Sequence, residues 1–186
     1  MKTKETLDLE KSLFRFTNRL GTFGCFEVTI GWAGKERVDY MTYDTKGDFK
    51  CFEIKVSKKD FHSKHHNTFV GHLNYYVMPK ELWEQVRDEI PEDVGVYVSI
   101  GDSLVSVKKA KRRKVSPEDI EILKNSFLRS VYRYAQKYFE SENELIIESY
   151  KRRIKQLEKE KLEYQHKYFK VIKKVHDKYG TFCGAD

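Results

Sequence analysis

Cysteine, proline and long apolar runs are all scarce in this chain of 186 residues, and each shortage excludes something. Cys25, Cys51 and Cys183 stand far apart, form no CxxC and make an odd set, so neither a disulfide framework nor a cysteine-rich zinc module is expected. Reduced thiols, and with them a cytoplasmic location, are the simplest expectation. No run is long enough to span a bilayer, so no membrane association is expected. The opening "MKTKETLDLEKSLFRF" is charged throughout and lacks the apolar centre of a signal peptide. Aromatic residues, by contrast, are plentiful at 14%, which a disordered chain would not carry. Thirty-six basic against 29 acidic residues leave a net charge of +7, compatible with a nucleic-acid partner and equally with a basic soluble surface.

Periodicity divides the chain. Leu9, Leu13, Phe16 and Leu20 fall at helical spacing within residues 7–20, and Gly21 offers a stop. "CFEVTIG" then alternates as a strand, "GWAGKER" reads as a turn, and "VDYMTYD" and "FKCFEIKVS" are strands joined across the turn "TKGD". Three antiparallel strands in succession are expected. A short helical segment capped by Asp60 or Ser63 follows, then a strand "NYYVMP", a helix "KELWEQVRDEI" and two strands "GVYVSI" and "LVSVKKA". The basic run "KKAKRRK" lacks apolar pattern and marks a boundary, giving one domain over residues 1–110 and a helical region over 116–186.

In that second region Ser116-Pro117-Glu118-Asp119 starts a helix with an apolar stripe from Ile120 to Tyr138. Ser141 and Glu144 match a capping box, which predicts a break near residue 141, and Gly180 is the expected end of a last helix. That helix keeps a 3-4 spacing from Ile147 to Val175. Two packings use such a stripe equally well: an antiparallel hairpin with helix 117–140, or a coiled coil that makes a homo-oligomer.

Asp39, Glu53 and Lys55 are the wrong residues for half-buried strands. In a strand Glu53 and Lys55 project to one side while Phe52, Ile54 and Val56 form the buried face. If the strand of Asp39 pairs with theirs, the two carboxylates approach, and they repel unless a proton or cation sits between them. Oxygen donors at that density suit Mg²⁺ or Mn²⁺, and a neighbouring ammonium suits charge build-up on a phosphate. E-x-K on a solvated strand face looks the same and needs no chemistry.

"VDY" followed by "CFEIKVSKKDF", in the order helix, three strands, helix, resembles the signature of the PD-(D/E)XK nuclease superfamily. "DFHS", "NYYVMP" and "IPEDVGVYV" extend the similarity to small bacterial and phage-borne nuclease-like proteins akin to the MmcB-like DNA-repair group, over about residues 7–107. The resemblance implies an α+β, restriction-endonuclease-like αβββαβ core and metal-dependent hydrolysis of phosphodiester bonds in nucleic acid, DNA above all, in repair or mobile-element processing. It implies Asp39, Glu53 and the carbonyl of Ile54 as ligands of Mg²⁺ or Mn²⁺, and Lys55 as the catalytic lysine. Val38 stands where the motif's name has proline.

Other residues are weighed around that triad. Glu10 and Glu27 could supply another carboxylate, though a solvated face explains both. His62, His65, His66 and His72 crowd the following segment, yet no cysteine lies nearby to complete a zinc site. Lys58, Lys59 and Lys64 flank the triad and could steer nucleic acid, and Lys108, Lys109, Arg112 and Arg113 could grip a phosphate backbone or merely solvate a linker. Two rival functions stand beside the nuclease: a non-cleaving nucleic-acid-binding module, and an assembly protein acting through its last helices.

Overall fold

The computed structural model describes residues 2–32, 34, 36–63 and 67–180. Its order is α1 (Lys4–Thr17), β1 (Thr22–Thr29), β2 (Arg37–Asp44), β3 (Phe49–Ile54), α2 (Lys58–Phe61), β4 (Leu73–Pro79), α3 (Lys80–Val86), β5 (Gly95–Ile100), β6 (Ser103–Lys108), α4 (Pro117–Glu142) and α5 (Glu144–Tyr179). The six strands form one sheet in sequence order. β1, β2 and β3 are antiparallel neighbours, β3, β4 and β5 are parallel, and β6 returns antiparallel. This is the expected α+β class. Among the described residues no helix is long and apolar enough to cross a membrane.

Each piece has a local cause. The β2–β3 turn closes on Gly47, whose φ of +87° few side chains tolerate, while the Asp44 carboxylate accepts the amides of Lys46 and Asp48. α1 starts at Lys4, capped by Thr3, and buries Leu9 and Leu13 against Tyr40, Phe52, Ile54 and Val77. Each such leucine is worth about 1.5–3 kcal/mol. Leu20, expected on that face, lies past the helix and is exposed. Close approach of β1 to Tyr40 requires Gly24: a Cβ there would lie 1.9 Å from the Tyr40 hydroxyl, which hydrogen-bonds Thr17 at the end of α1.

On the other face, Val28, Val38, Met41, Phe49 and Cys51 are covered by Leu123 and Phe127 of α4. The compact unit therefore runs from Met1 to Tyr134, past the expected end at residue 110. Arg129 fastens α4 further by donating to the carbonyls of Thr29 and Gly31 at 2.9 and 2.6 Å. α3 closes the rest of that face over Tyr76, Met78, Val96 and Val98.

The second unit, Ala135–Asp186, holds the end of α4 and all of α5. The break is capped by Asn143 rather than by Ser141, whose hydroxyl bonds its own helix at Tyr138. The Asn143 carboxamide accepts the amides of Leu145 and Ile146, satisfying two donors that a helix start leaves open. Within the stripe of α5, Ile154, Leu157, Tyr164 and Val171 are all exposed.

Candidate functional site

An irregularity in the first two strands builds the site. The ladder pairs Phe26 with Tyr40 and Val28 with Val38, leaving out Glu27 and Asp39 between them. Glu27 has a φ of +51°, rare outside glycine, and across it the inward and outward alternation inverts. Cys25 and Val28 thus share one core cluster, as do Val38 and Met41, whereas Phe26 and Tyr40 pack in the other. Asp39 sits at the inversion. The β2–β3 pairing stops at Tyr40↔Phe52, and the Asp39 carboxylate accepts the amide of Ile54 at 2.9 Å, where a strand would otherwise have continued.

The same geometry brings Asp39 to Glu53, and the two carboxyl groups share a hydrogen bond. Both Glu53 and Lys55 are buried, at 4% and 5% exposure, which corrects the expectation of a half-open face. The reason is topological: β3 lies between β2 and a parallel β4, and a parallel strand is covered on both sides. Burial raises the Glu53 carboxyl to about 8, the negative charge of Asp39 adds to it, and the Thr68 amide and Lys55 ammonium oppose it. Of the three residues, Asp39 is the half-buried one and gives the pair its more accessible side.

Residues 67–72, just before β4, cover Glu53. The Thr68 amide donates to Glu53 Oε1 at 3.2 Å, and Asn67 donates to the hydroxyl of Tyr76, the residue opposite Glu53 on β4. Burial, with the charge of Glu53, pushes the Tyr76 hydroxyl up to about 12. Thr68 Oγ1 and Asn67 Oδ1 are buried and find no hydrogen-bond partner among the described residues. Such orphans are uncommon in a finished interior. Neither Thr68 nor Asn67 was singled out by sequence reasoning; the cue available was a polar pair, "NT", interrupting an approach to the apolar "FVGHLNYYV".

Asp39 and Glu53 are the side chains here that could hold a hard divalent cation. Two carboxylates that hold each other's charge in check are donors such an ion accepts while keeping several waters. Among the described residues no group of three or more His, Cys, Asp or Glu is placed for a metal, so the acidic share of the site is the pair alone. Glu10 and Glu27 do not join it: both bind the Lys2 ammonium, at 2.6 and 2.9 Å.

The remaining candidates separate by what they touch. Lys58 and Lys59 are exposed on α2, whose cap is Ser57 rather than Asp60 or Ser63. Asp60 reaches back to the Val56 amide. His72 is structural: its Nδ1 accepts the Phe49 amide at 3.0 Å and its ring stacks on Phe49. His62 meets Glu89 at the surface. Lys64, His65 and His66 lie outside the described residues.

The basic run is tied down along its length. Lys108 donates to the carbonyls of Ile90 and Pro91, Lys111 pairs with Glu92, and Arg112 grips Asp48 through two nitrogens at 2.7 and 2.6 Å. That guanidinium holds the Asp48 carboxyl below the usual range. Arg113 donates to the Phe69 carbonyl through its side chain and to the His72 carbonyl through its amide. Lys109 is exposed.

No family model matches the chain, and no curated protein matches it. Among solved structures, the SPO1766 protein of unknown function from Silicibacter pomeroyi superposes with a TM-score of 0.62 at 18% identity, over 77% of this chain and 97% of that one. The likeness is one of fold.

Proposed function

We propose that this protein is a Mg²⁺- or Mn²⁺-dependent nuclease of the PD-(D/E)XK type, hydrolysing phosphodiester bonds of nucleic acid, with DNA as the first substrate to test. One observation carries the reading: Asp39 and Glu53, from strands that part at that point, hold their carboxyl groups together beneath the sheet's cover, with the Lys55 ammonium close enough to act on Glu53. A fold has little reason to bury two acids against each other for stability, since their charges oppose.

Asp39, Glu53 and the Ile54 carbonyl would hold the ion, which when bound polarises a phosphate and offsets the charge that develops on it. Asp39 is itself oriented by the Ile54 amide, and Glu53 by the Thr68 amide, so both acids are fixed before any ligand arrives. Lys55 supplies a positive charge that can orient a water and stabilise the phosphate as it gains charge. Lys58 and Lys59 carry the attraction for the nucleic-acid backbone. Cys25 and Cys51, buried as free thiols, suit a cytoplasmic setting.

The near-complete burial of Glu53 and Lys55 favours one alternative, a binding module that keeps the nuclease architecture without cleaving. Cleavage of single- and double-stranded DNA and RNA, with Mg²⁺ or Mn²⁺, separates the two. Activity in the wild type that drops at least a hundredfold in Glu53→Gln and Lys55→Ala is the expected result. Binding without cleavage under every condition would establish the alternative, and equal cleavage by all three proteins would place the activity elsewhere.

A further inference from the structure

We propose that α5 pairs in parallel with α5 of a second copy, as a two-stranded coiled coil. The inference rests on α5 alone and is independent of the chemistry at Asp39 and Glu53.

Its apolar residues recur every third and fourth position over about four heptads, with one interruption at Lys161. Ile147, Ile154, Lys161, Tyr168 and Val175 take one seam position (a), and Tyr150, Leu157, Tyr164 and Val171 take the other (d). Most of this line faces solvent in the single chain: Leu157 is 47% exposed, Val171 57% and Tyr164 71%. An exposed apolar line of that length on a folded chain, interrupted by one lysine, marks an interaction surface. A helix-period stripe that repeats at 3.5 rather than 3.6 residues also winds left-handed around a partner of the same period.

The identity of the partner follows from the flanks. In a parallel pair, each g residue meets the e residue five positions later on the other helix. That sets Arg153 against Glu158 of the second copy, twice by symmetry, and the other g–e pairs join Ile146 to Lys151, Glu160 to Gln165 and Lys167 to Ile172. One pairing is attractive and no like charges meet. An antiparallel overlap of the whole helix would gain Glu160 with Lys167 but oppose Arg153 to Lys174.

The seam residues agree with two strands. Isoleucine at a beside leucine at d, as in Ile154 and Leu157, favours a parallel dimer, and a single lysine at a specifies register and strand number at some expense in stability. Lys161 is that lysine. The seam is self-complementary, so no other partner chemistry is required to fill it.

The full chain tests this by light scattering and sedimentation. The expected species at micromolar concentration has twice the 22.2 kDa mass of one chain. Arg153→Glu places two like-charge contacts where two attractive ones stood and is expected to raise the dissociation constant about tenfold. Adding Glu158→Arg to that variant restores the dimer, because the swapped pair meets only in the parallel register. Direction is read from Val175→Cys in a Cys183→Ser background: mild oxidation cross-links two parallel chains at that seam position. Antiparallel copies would hold these cysteines near opposite ends of a helix roughly 54 Å long. A monomer at all concentrations, a dimer without rescue by the double swap, or a dimer that never cross-links would each overturn the proposal.

Discussion

Replacing Glu53 with glutamine should make the protein more stable at pH 8 and leave it nearly unchanged at pH 4.5. In the fold the Glu53 carboxyl titrates near 8, against an ordinary value of 4.5. Below 4.5 the folded and unfolded chains both hold the proton, so the group is neutral with respect to stability. Between 4.5 and 8 the unfolded chain releases it while the fold retains it, and stability falls by about 1.36 kcal/mol per pH unit. The accumulated loss is roughly 4 kcal/mol at pH 8, a large part of the 5–15 kcal/mol that holds a domain together. Glutamine keeps the oxygen that accepts the Thr68 amide and offers an N–H to Asp39 where the protonated acid offers its O–H, without the proton to lose. Urea unfolding in the presence of a chelator, followed by circular dichroism from pH 4.5 to 8.5, measures the difference between the two proteins, in which titrating groups that do not interact with Glu53 cancel. At a slope of about 2 kcal/mol per molar urea, the midpoints should part by about 2 M at pH 8 and converge at pH 4.5. Curves that stay parallel across the range would show that Glu53 titrates as an ordinary surface acid, and the account of the buried pair would fail.

Three further outcomes are expected. Thr68→Val removes a buried hydroxyl oxygen that finds no partner among the described residues, so the metal-free protein should gain about 1 kcal/mol in thermal unfolding, while its affinity for Mg²⁺, read by calorimetry, weakens several-fold. Gly24→Ala drives a methyl group into the Tyr40 hydroxyl and should cost about 1–3 kcal/mol by chemical denaturation, with part of the loss recovered when Tyr40→Phe removes the oxygen. In DNA binding, replacing Lys58 and Lys59 with glutamine should lower the slope of log affinity against log salt by about two, whereas Arg112→Gln, whose guanidinium already serves Asp48, should leave the slope unaltered.

The parts of this molecule that obey a local rule were legible from its residues. The β2–β3 turn needed a glycine where "TKGD" has Gly47, and Pro117 opens α4 with Ser116 accepting the Asp119 amide as a helix start requires. The inversion at Glu27 was not legible, because a glutamate at positive φ carries no signature in a single sequence, and it decides where Asp39 points. Burial of Glu53 and Lys55 was missed for a different reason: alternation reveals which residues share a side but not whether a second layer covers it, and that layer comes from distant segments, α3 and residues 67–72. The same holds for α4, whose Leu123 and Phe127 fill a core more than 70 residues upstream in the chain. The basic run read as a linker since its lysines and arginines have no apolar pattern, while their partners, Asp48, Glu92 and five carbonyls, are spread over the fold.

Arg113 gives that run a mechanical meaning. Its amide and its guanidinium hold the carbonyls of His72 and Phe69, at either end of a stretch that begins next to Thr68, whose own amide steadies Glu53. Cationic strap and acidic pair are thus two ends of one short linkage, and lifting the strap from the surface would slacken the brace over the acids beneath.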